Sequence, residues 1–527
     1  MTLSSATHFV HASSPNSGGH TDNFIARHAE RFQIPLDKDW TIRETKLHIL
    51  QMFLNGSIYD YLEPFHQEYQ GGKGSYIPLS RRRPSTLYRL CEIIVNETVG
   101  MLFGDGHFPE VKCAEEGHEK TEEFLKYITN ACKIKRTMLN AAKEGAIGSV
   151  CILVKILNGK FYFDVLNTKH LNPVFNQDEP DQLIKLVDHK KIDGSTLISY
   201  GYEIPTENKN KYYWLDREWD QEREVYYKPY LVDDDRKKKR EEDKERTSNH
   251  DFGFVPAIWI QNLPHAHHID GFCTFEPIVD TQTEIDYQLS QTGRLLKYNS
   301  EPTLVVKNPS AIDGRQLIKS QSIINLDEKG DAYYAEMSGN GVNAVIEYVK
   351  MLREYGLESV RGNRSSPDKL HAAQSGRALE MLNNPLINLV DEMRLTYGDC
   401  GLLSLYAICI KIYLSGKYEI DCGGFEPDSE DCSDHLCLYW QDWYPATGLD
   451  KLQDAQSVQI YRGANVISQE TAIHYVAEEF GIEDIEKELS SIDKEKDEEQ
   501  NRQMKTAKVE PSLKNQVDLD VSSFHNK

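Results

Sequence analysis

Long apolar runs are missing from this sequence. The most hydrophobic stretch, Cys400–Leu414, is broken by Lys411 and is shorter than the roughly 18–20 residues a membrane span needs. It reads as a buried core helix. The N-terminus, MTLSSATHFVHASSPNSGG, has no apolar signal core, so secretion is not expected. The ten cysteines are scattered and form no framework, which points to reduced thiols in a cytosolic compartment. Cations are in deficit: 60 Lys+Arg face 83 Asp+Glu, a formal net charge of −23. That weighs against a basic cleft that wraps nucleic acid, because phosphate neutralisation needs clustered cations. A phosphate-cradling glycine loop, HExxH and GxSxG are absent as well. The glycines of Phe103–Phe108 lack a strand–turn–helix setting and read as a turn.

What is present fits several domains in 527 residues. Residues 1–25 are rich in Ser, His, Gly and Asn and read as a loose arm. Helical spacing starts near Thr41 and stops at Asn55-Gly56. Pro84 suits the first turn of a helix carrying Leu87, Leu90, Ile94 and Met101. A helix pair is predicted over 120–144. Ser149–Leu157 and Lys160–Leu166 flank Asn158-Gly159, a strong hairpin signal. Further strands are predicted at Leu183–Val187, Leu197–Ile204, Tyr212–Leu215, Val225–Val232 and within Phe252–Asn262. The charged run Asp233–Arg246 balances its own signs and reads as a solvated tip.

The character changes after Asn262. Glu276–Tyr298 reads as a long helix with a thin apolar seam of Ile278, Ile285, Leu289 and Leu296 and an otherwise polar surface. Such a helix is short of core contacts in a monomer, so the expectation is packing between subunits or along a channel. Asn343–Val360 is a second helix of this kind, with Val345, Val349, Leu352 and Gly356 on one stripe. Between the two lies a small α/β block, Pro302–Gly341. A loop with few anchors, Arg361–Gly376, leads into a long helical run, Arg377–Leu414, with a kink expected at Pro385. A strand at His435–Trp443 and a helical C-terminal part from Thr447, with Ser468 as an N-cap, complete the order.

Candidate chemistry is sparse. His265-Ala266-His267-His268 and the set Cys422, Cys432, His435 and Cys437 could be imagined as metal ligands. The histidines lack further ligands at fixed spacing, and the cysteines match no usual zinc pattern. No pair of carboxylates is brought together by sequence for acid–base work.

Several stretches, in this order, resemble the portal protein family of tailed double-stranded DNA bacteriophages, in its siphophage-type branch. They are IVNETVGMLFGDGHFPEV, AIGSVCILVKILNGKFYFDVLNTKHLNPVF, FGFVPAIWIQN with FCTFEPIVDTQTEIDYQLSQTGRLLKY, SGRALEMLNNPL, and GANVISQETAIHYVAEEFGIEDIEKEL. The likeness runs from about Arg83 to Asp497. It implies an α+β portal fold: an α/β wing, a long-helix stem, a small α/β clip, a tunnel loop with a long kinked helix, and a helical crown. The implied division is an N-terminal arm at 1–40, the first part of the wing at 41–272, stem helices at 273–300 and 342–360 around a clip at 301–341, and a tunnel loop at 361–376. A long helix with a wing return strand at 377–446, a crown at 447–500 and a flexible tail at 501–527 follow.

The resemblance also implies a function. A homododecameric ring at one capsid vertex would conduct double-stranded DNA during packaging and ejection, without sequence specificity. It would dock the terminase large subunit and then the head-completion or neck adaptor, and meet the major capsid and scaffolding proteins. No enzyme activity, cofactor, metal or membrane is implied, and the location is the virion, with assembly in the host cytoplasm. DNA-facing candidates on the tunnel loop are Arg361, Arg364, Lys369 and His371. Ile278, Ile285, Leu289, Leu296, Val345, Val349 and Leu352 are the candidate subunit contacts of the stem. Arg315, Lys319 and Lys329 are the candidate docking surface of the clip. The alternatives are a metal-dependent hydrolase using the His265–His268 and Cys422–Cys437 clusters, or another ring-forming adaptor.

Overall fold

Phe24, His28 and Phe32 recur at helical spacing, and in the computed structural model the chain coils there: α1 spans Gly18–Phe32 and buries all three. The structure describes residues 18–502 except 71–73, 105, 115–116, 233–239, 267, 301–302, 310–325, 336–339, 363–375, 429–434, 445–447, 481–483, 499 and 501. The loose arm expected over 1–25 therefore ends earlier than the composition suggested. An apolar triplet at i, i+4, i+8 outweighs a polar surround once it finds a core.

Helix α2, Ile42–Asn55, begins and ends as its sequence dictates. Thr41 and Glu44 form a reciprocal capping box, and Gly56 closes the helix at φ 71°. Two short strands, β1 (Glu63–Pro64) and β2 (Arg82–Arg83), pair in parallel. Pro84 does not open the next helix; α3 is Leu90–Phe103. After β3 (Glu110–Cys113) come α4 (Glu119–Ala131) and α5 (Ile134–Gly145), at the place predicted for a helix pair.

Strands β4 (Ser149–Leu157) and β5 (Lys160–Asn167) form the expected hairpin. Its turn residues Asn158 and Gly159 both have positive φ, 51° and 71°, the conformation that suits the right-handed twist of the flanking strands. A larger antiparallel sheet is built from β6 (Leu171–Phe175), β7 (Leu183–Asp193), β8 (Tyr212–Trp219), β9 (Arg223–Tyr226), β10 (Tyr230–Leu231) and β11 (Ser248–Asn249). The order is β11-β9-β8-β7-β6, with β10 also on β8. The strand predicted at Leu197–Ile204 is absent. Asp193 caps a short helix instead, α6 (Gly194–Ser199), accepting from the Thr196 N–H at 3.0 Å. Strand β12 (Ala257–Gln261) returns to β4, giving the order β12-β4-β5.

A single 3₁₀ turn precedes α7 (Val279–Ser300). Strands β13 (Thr303–Pro309) and β14 (Leu326–Ala335) pair antiparallel, and α8 (Asn340–Ser359) packs back on α7. Gly356, in α8, marks their close approach: a Cβ there would stand 3.3 Å from Thr281 Cγ2.

Helix α9 (Gly376–Met393) runs through Pro385. The departure from α geometry lies further on, in a π-helical segment Arg394–Leu403 that passes directly into α10 (Ser404–Leu414). By length and composition the run Glu380–Leu414 could cross a membrane. However, Val390, Met393, Tyr397, Leu402, Leu405, Cys409, Ile410 and Ile412 are all buried in the core, which makes it a core helix. Strand β15 (Leu436–Tyr439) pairs with β3.

The chain divides into two compact units: 1–366 with 380–443, and 367–379 with 444–527. All elements from α1 to α8, most of α9, α10 and β15 belong to the first. The second contains α11 (Gly448–Gly463) and α12 (Gln469–Phe480), with Ser468 accepting from the Thr471 N–H at 3.0 Å as the predicted N-cap. With 50% helix and 19% strand, the fold is α+β.

Candidate functional site

The two long helices α7 and α8 are where the sequence placed the most unusual surface. Helix α7 is not short of core contacts. Ile278 and Ile285 have no exposed surface and belong to the main hydrophobic core of their own chain, and Leu289 packs against it. The polar residues are buried too: Gln282 at 1%, Thr283 and Asp286 at 0%, Ser290 at 1% exposure. This corrects the expectation that a polar helix surface here must face another subunit or a channel.

The reason lies in residues 84–91. Residues 84–89 have no strand partner and Cys91 stands in the first turn of α3, where a helix leaves its own N–H groups unpaired, so these donors are satisfied elsewhere. Gln282, Asp286 and Ser290 recur at i, i+4, i+8 on one face of α7 and take them up in antiparallel order. Thr86 N–H donates to Ser290 Oγ at 3.1 Å, Tyr88 N–H to Asp286 Oδ1 at 2.6 Å, and Cys91 N–H to Gln282 Oε1 at 2.8 Å. Ser290 Oγ in turn donates to the Asp286 carbonyl at 2.7 Å. Tyr59 donates to Asp286 Oδ2 at 2.8 Å, and Tyr287 donates to the Arg82 carbonyl at 2.7 Å. At the start of α7, Asp280 receives Arg27 at 3.0 Å and Arg31 at 3.6 Å; near its end Arg294 pairs with Glu68. The spacing of Gln282, Asp286 and Ser290 was the available signal for this buried face, and the sequence reading passed over it.

Helix α8 is different. Its inner side carries Val345, Val349 and Leu352. The last two pack on the core, while Val345 lines a cleft with Gln291, Thr292, Arg294 and Leu295. The adjoining shoulder is open. Ala344, Tyr348, Met351 and Tyr355, at i, i+4, i+7 and i+11, are all exposed, the last three at 38%, 41% and 62%. Leu296, the last seam residue of α7, is 50% exposed.

Arg361 follows α8 in a left-handed conformation, φ 55°. Its guanidinium grips Glu392 of α9 in a two-pronged pair, 2.6 Å and 2.9 Å. Hydrogen bonding within the pair holds Glu392 below the usual carboxylate range and raises Arg361. The cation expected to meet phosphate is thus committed to an in-chain carboxylate. Arg364, Lys369 and His371 lie outside the described residues, as do Arg315 and Lys319. Lys329 falls on β14, with its side chain outside the description.

The other candidates come apart as sites. His265 and His268 stack on each other at 3.9 Å, and His265 stacks on Phe272 at 4.0 Å, as an aromatic cluster. Cys422 is buried beyond the end of α10, whereas Cys437 sits on β15 with its thiol 3.4 Å from the Lys112 carbonyl; Cys432 is outside the described residues. Among the described residues no group of three His, Cys, Asp or Glu is placed to hold a metal ion. In the charged tip, Arg240 is held by Asp216 at 2.8 Å and Glu218 at 3.0 Å, so its charge is balanced within the chain.

This is the architecture of a scaffold: long helices, buried polar clamps and an open apolar shoulder. The chain belongs to the phage portal protein family, SPP1 Gp6-like, whose model matches residues 87–502. That family is a structural, non-enzymatic component of the phage particle, found at a capsid vertex. No curated protein matches the chain in sequence.

Proposed function

We propose that this protein assembles into a homododecameric ring at one capsid vertex and serves as the conduit for double-stranded DNA in packaging and ejection. Membership of the portal family over residues 87–502 carries the reading. The order of the described elements supports it: helix α7, strands β13 and β14, helix α8, the long helix α9, then helices α11 and α12, in the order expected of stem, clip, stem, long helix and crown. The clip, with Arg315, Lys319 and Lys329, is the docking platform for the terminase large subunit and then for the neck adaptor. Arg364, Lys369 and His371 of the loop meet the DNA backbone, where contact gives transient grip without sequence readout. The chain's net charge of −23 suits a channel wall that repels DNA and lets it slide.

Within such a ring the stem surface offered to the next copy is the outer shoulder of α8, Ala344, Tyr348, Met351 and Tyr355, rather than Ile278 and Ile285. Contacts between successive copies in a ring are heterologous, so a stripe on one side of the protomer meets a different surface of its neighbour. Light scattering after size-exclusion chromatography, with negative-stain imaging, tests the proposal. Rings with a central hole are expected; a monomer at all concentrations overturns it.

A further inference from the structure

Asp286 ties two separate stretches of the N-terminal layer to α7. Its Oδ2 accepts from Tyr59 and its Oδ1 from the backbone of Tyr88. It is wholly buried. The titratable groups that face it come from three places: Tyr59 from the segment after α2, Cys91 from α3 and Tyr287 from α7 itself. Burial raises each of them, so all three are neutral at ordinary pH, and no cation contributes to the electrostatics of Asp286. A buried carboxylate without a counter-ion is a group that neutralises itself by taking up a proton when conditions allow.

We propose that Asp286 is a proton-operated latch: protonated, it locks the stretches around Tyr59 and Tyr88 onto α7, and ionised, it lets them release from the helix more readily. The proton comes from solvent and adds to Oδ2. From there it bonds the Tyr59 oxygen, whose own proton turns from Oδ2 to the Thr283 hydroxyl, while Oδ1 goes on accepting from Tyr88 N–H. Both bonds are kept and the buried charge disappears. The ionised form holds the same two bonds around a full charge with no partner.

Burial pushes the carboxyl from 3.8 up to about 6, opposed by the hydrogen bonds from Tyr88 and Tyr59. The folded state therefore binds this proton more tightly than an opened state does. The latch tightens as pH falls through about 6 and reaches its limit below the ordinary carboxylate range.

Hydrogen–deuterium exchange on the full chain tests this, with rates corrected for the intrinsic effect of pH. Peptides covering 57–62 and 86–94 should gain about tenfold protection between about pH 7.5 and about pH 5. In Asp286→Asn, whose amide can keep both bonds without charge, protection should be flat across that range. Tyr59→Phe, a milder change, removes a donor that favours the ionised form, so the midpoint of the protection curve should move to higher pH. The proposal is overturned by wild-type protection that does not change with pH, by an Asn variant that keeps the wild-type pH response, or by a Phe variant with an unmoved midpoint.

Discussion

Ile285 and Met351 lie on the paired helices α7 and α8, and the structure predicts opposite consequences for changing them. Ile285 is completely buried in the core of its own chain. Ile285→Asp removes a buried aliphatic side chain, a loss of about 2–5 kcal/mol. It also strands a carboxylate among Ile278, Leu289 and their neighbours, a further cost of several kcal/mol. Together these approach the whole net stability of a domain, about 5–15 kcal/mol. The variant should therefore fail as a folded, soluble chain, with assembly lost only as a consequence.

Met351 and Tyr355 are 41% and 62% exposed in the single chain. Met351→Gln with Tyr355→Gln keeps helix-forming side chains and adds no charge, so each substitution should change the stability of the chain by no more than about 0.5 kcal/mol. If these two residues anchor the contact with the next copy, losing about 2 kcal/mol at each weakens every subunit contact by roughly 4 kcal/mol. That is close to a thousand-fold in the association constant. Thermal melting should then superimpose on wild type, while light scattering and negative-stain images show monomers where wild type gives rings. Normal rings from the double variant would remove the α8 shoulder from the interface. A well-folded Ile285→Asp chain would refute the burial argument itself.

Three further outcomes follow from other parts of the chain. Gly398→Ala places a Cβ 2.7 Å from Cζ2 of Trp440, so it should destabilise the chain by about 1–3 kcal/mol through overpacking, read as a lower melting temperature. His48 is held down to about 4 by burial first, then by Lys169 and His170; the unfolded chain takes up that proton near 6.5 and the folded chain refuses it. Stability should fall as pH drops from about 6.5 toward about 4, and His48→Gln should remove that part of the loss in melts taken across the range. Arg364→Ala with Lys369→Ala should leave rings intact but change packaging rate or DNA retention, more at low salt than at high salt; an effect independent of salt would argue against phosphate contact.

Much of the first unit was legible because its signals are local. Thr41 and Glu44 announce α2, and Asn158-Gly159 announces the β4–β5 hairpin; each depends only on neighbours a few residues away. Leu197–Ile204 misled because the apolar pattern there is short, and a cap by Asp193 decided the local conformation instead. Within the candidate site, the positions of α7 and α8 were readable and their surroundings were not. Arg361 looked free to meet phosphate because its partner is remote in sequence: Glu392, 31 residues on, takes up its charge.

Helix α7 shows why such readings fail in a consistent direction. A sequence pattern equates polar with wet, and on that rule a helix carrying Gln282, Thr283, Asp286 and Ser290 must face water or another subunit. The rule holds only where the rest of the chain has no unpaired backbone to offer. Here residues 86–89 have no strand partner and Cys91 stands in the first turn of α3, and three of their N–H groups find their acceptors on α7, the Cys91 one fully buried. The polar side chains are covered because they accept those N–H groups, and the two sets lie about 200 residues apart. A polar row at i, i+4, i+8 beside a thin apolar seam is thus evidence of a buried clamp on irregular backbone as much as of an interface. The two are distinguished by where exposed apolar area remains, and here it remains on α8 and at Leu296 near the end of α7.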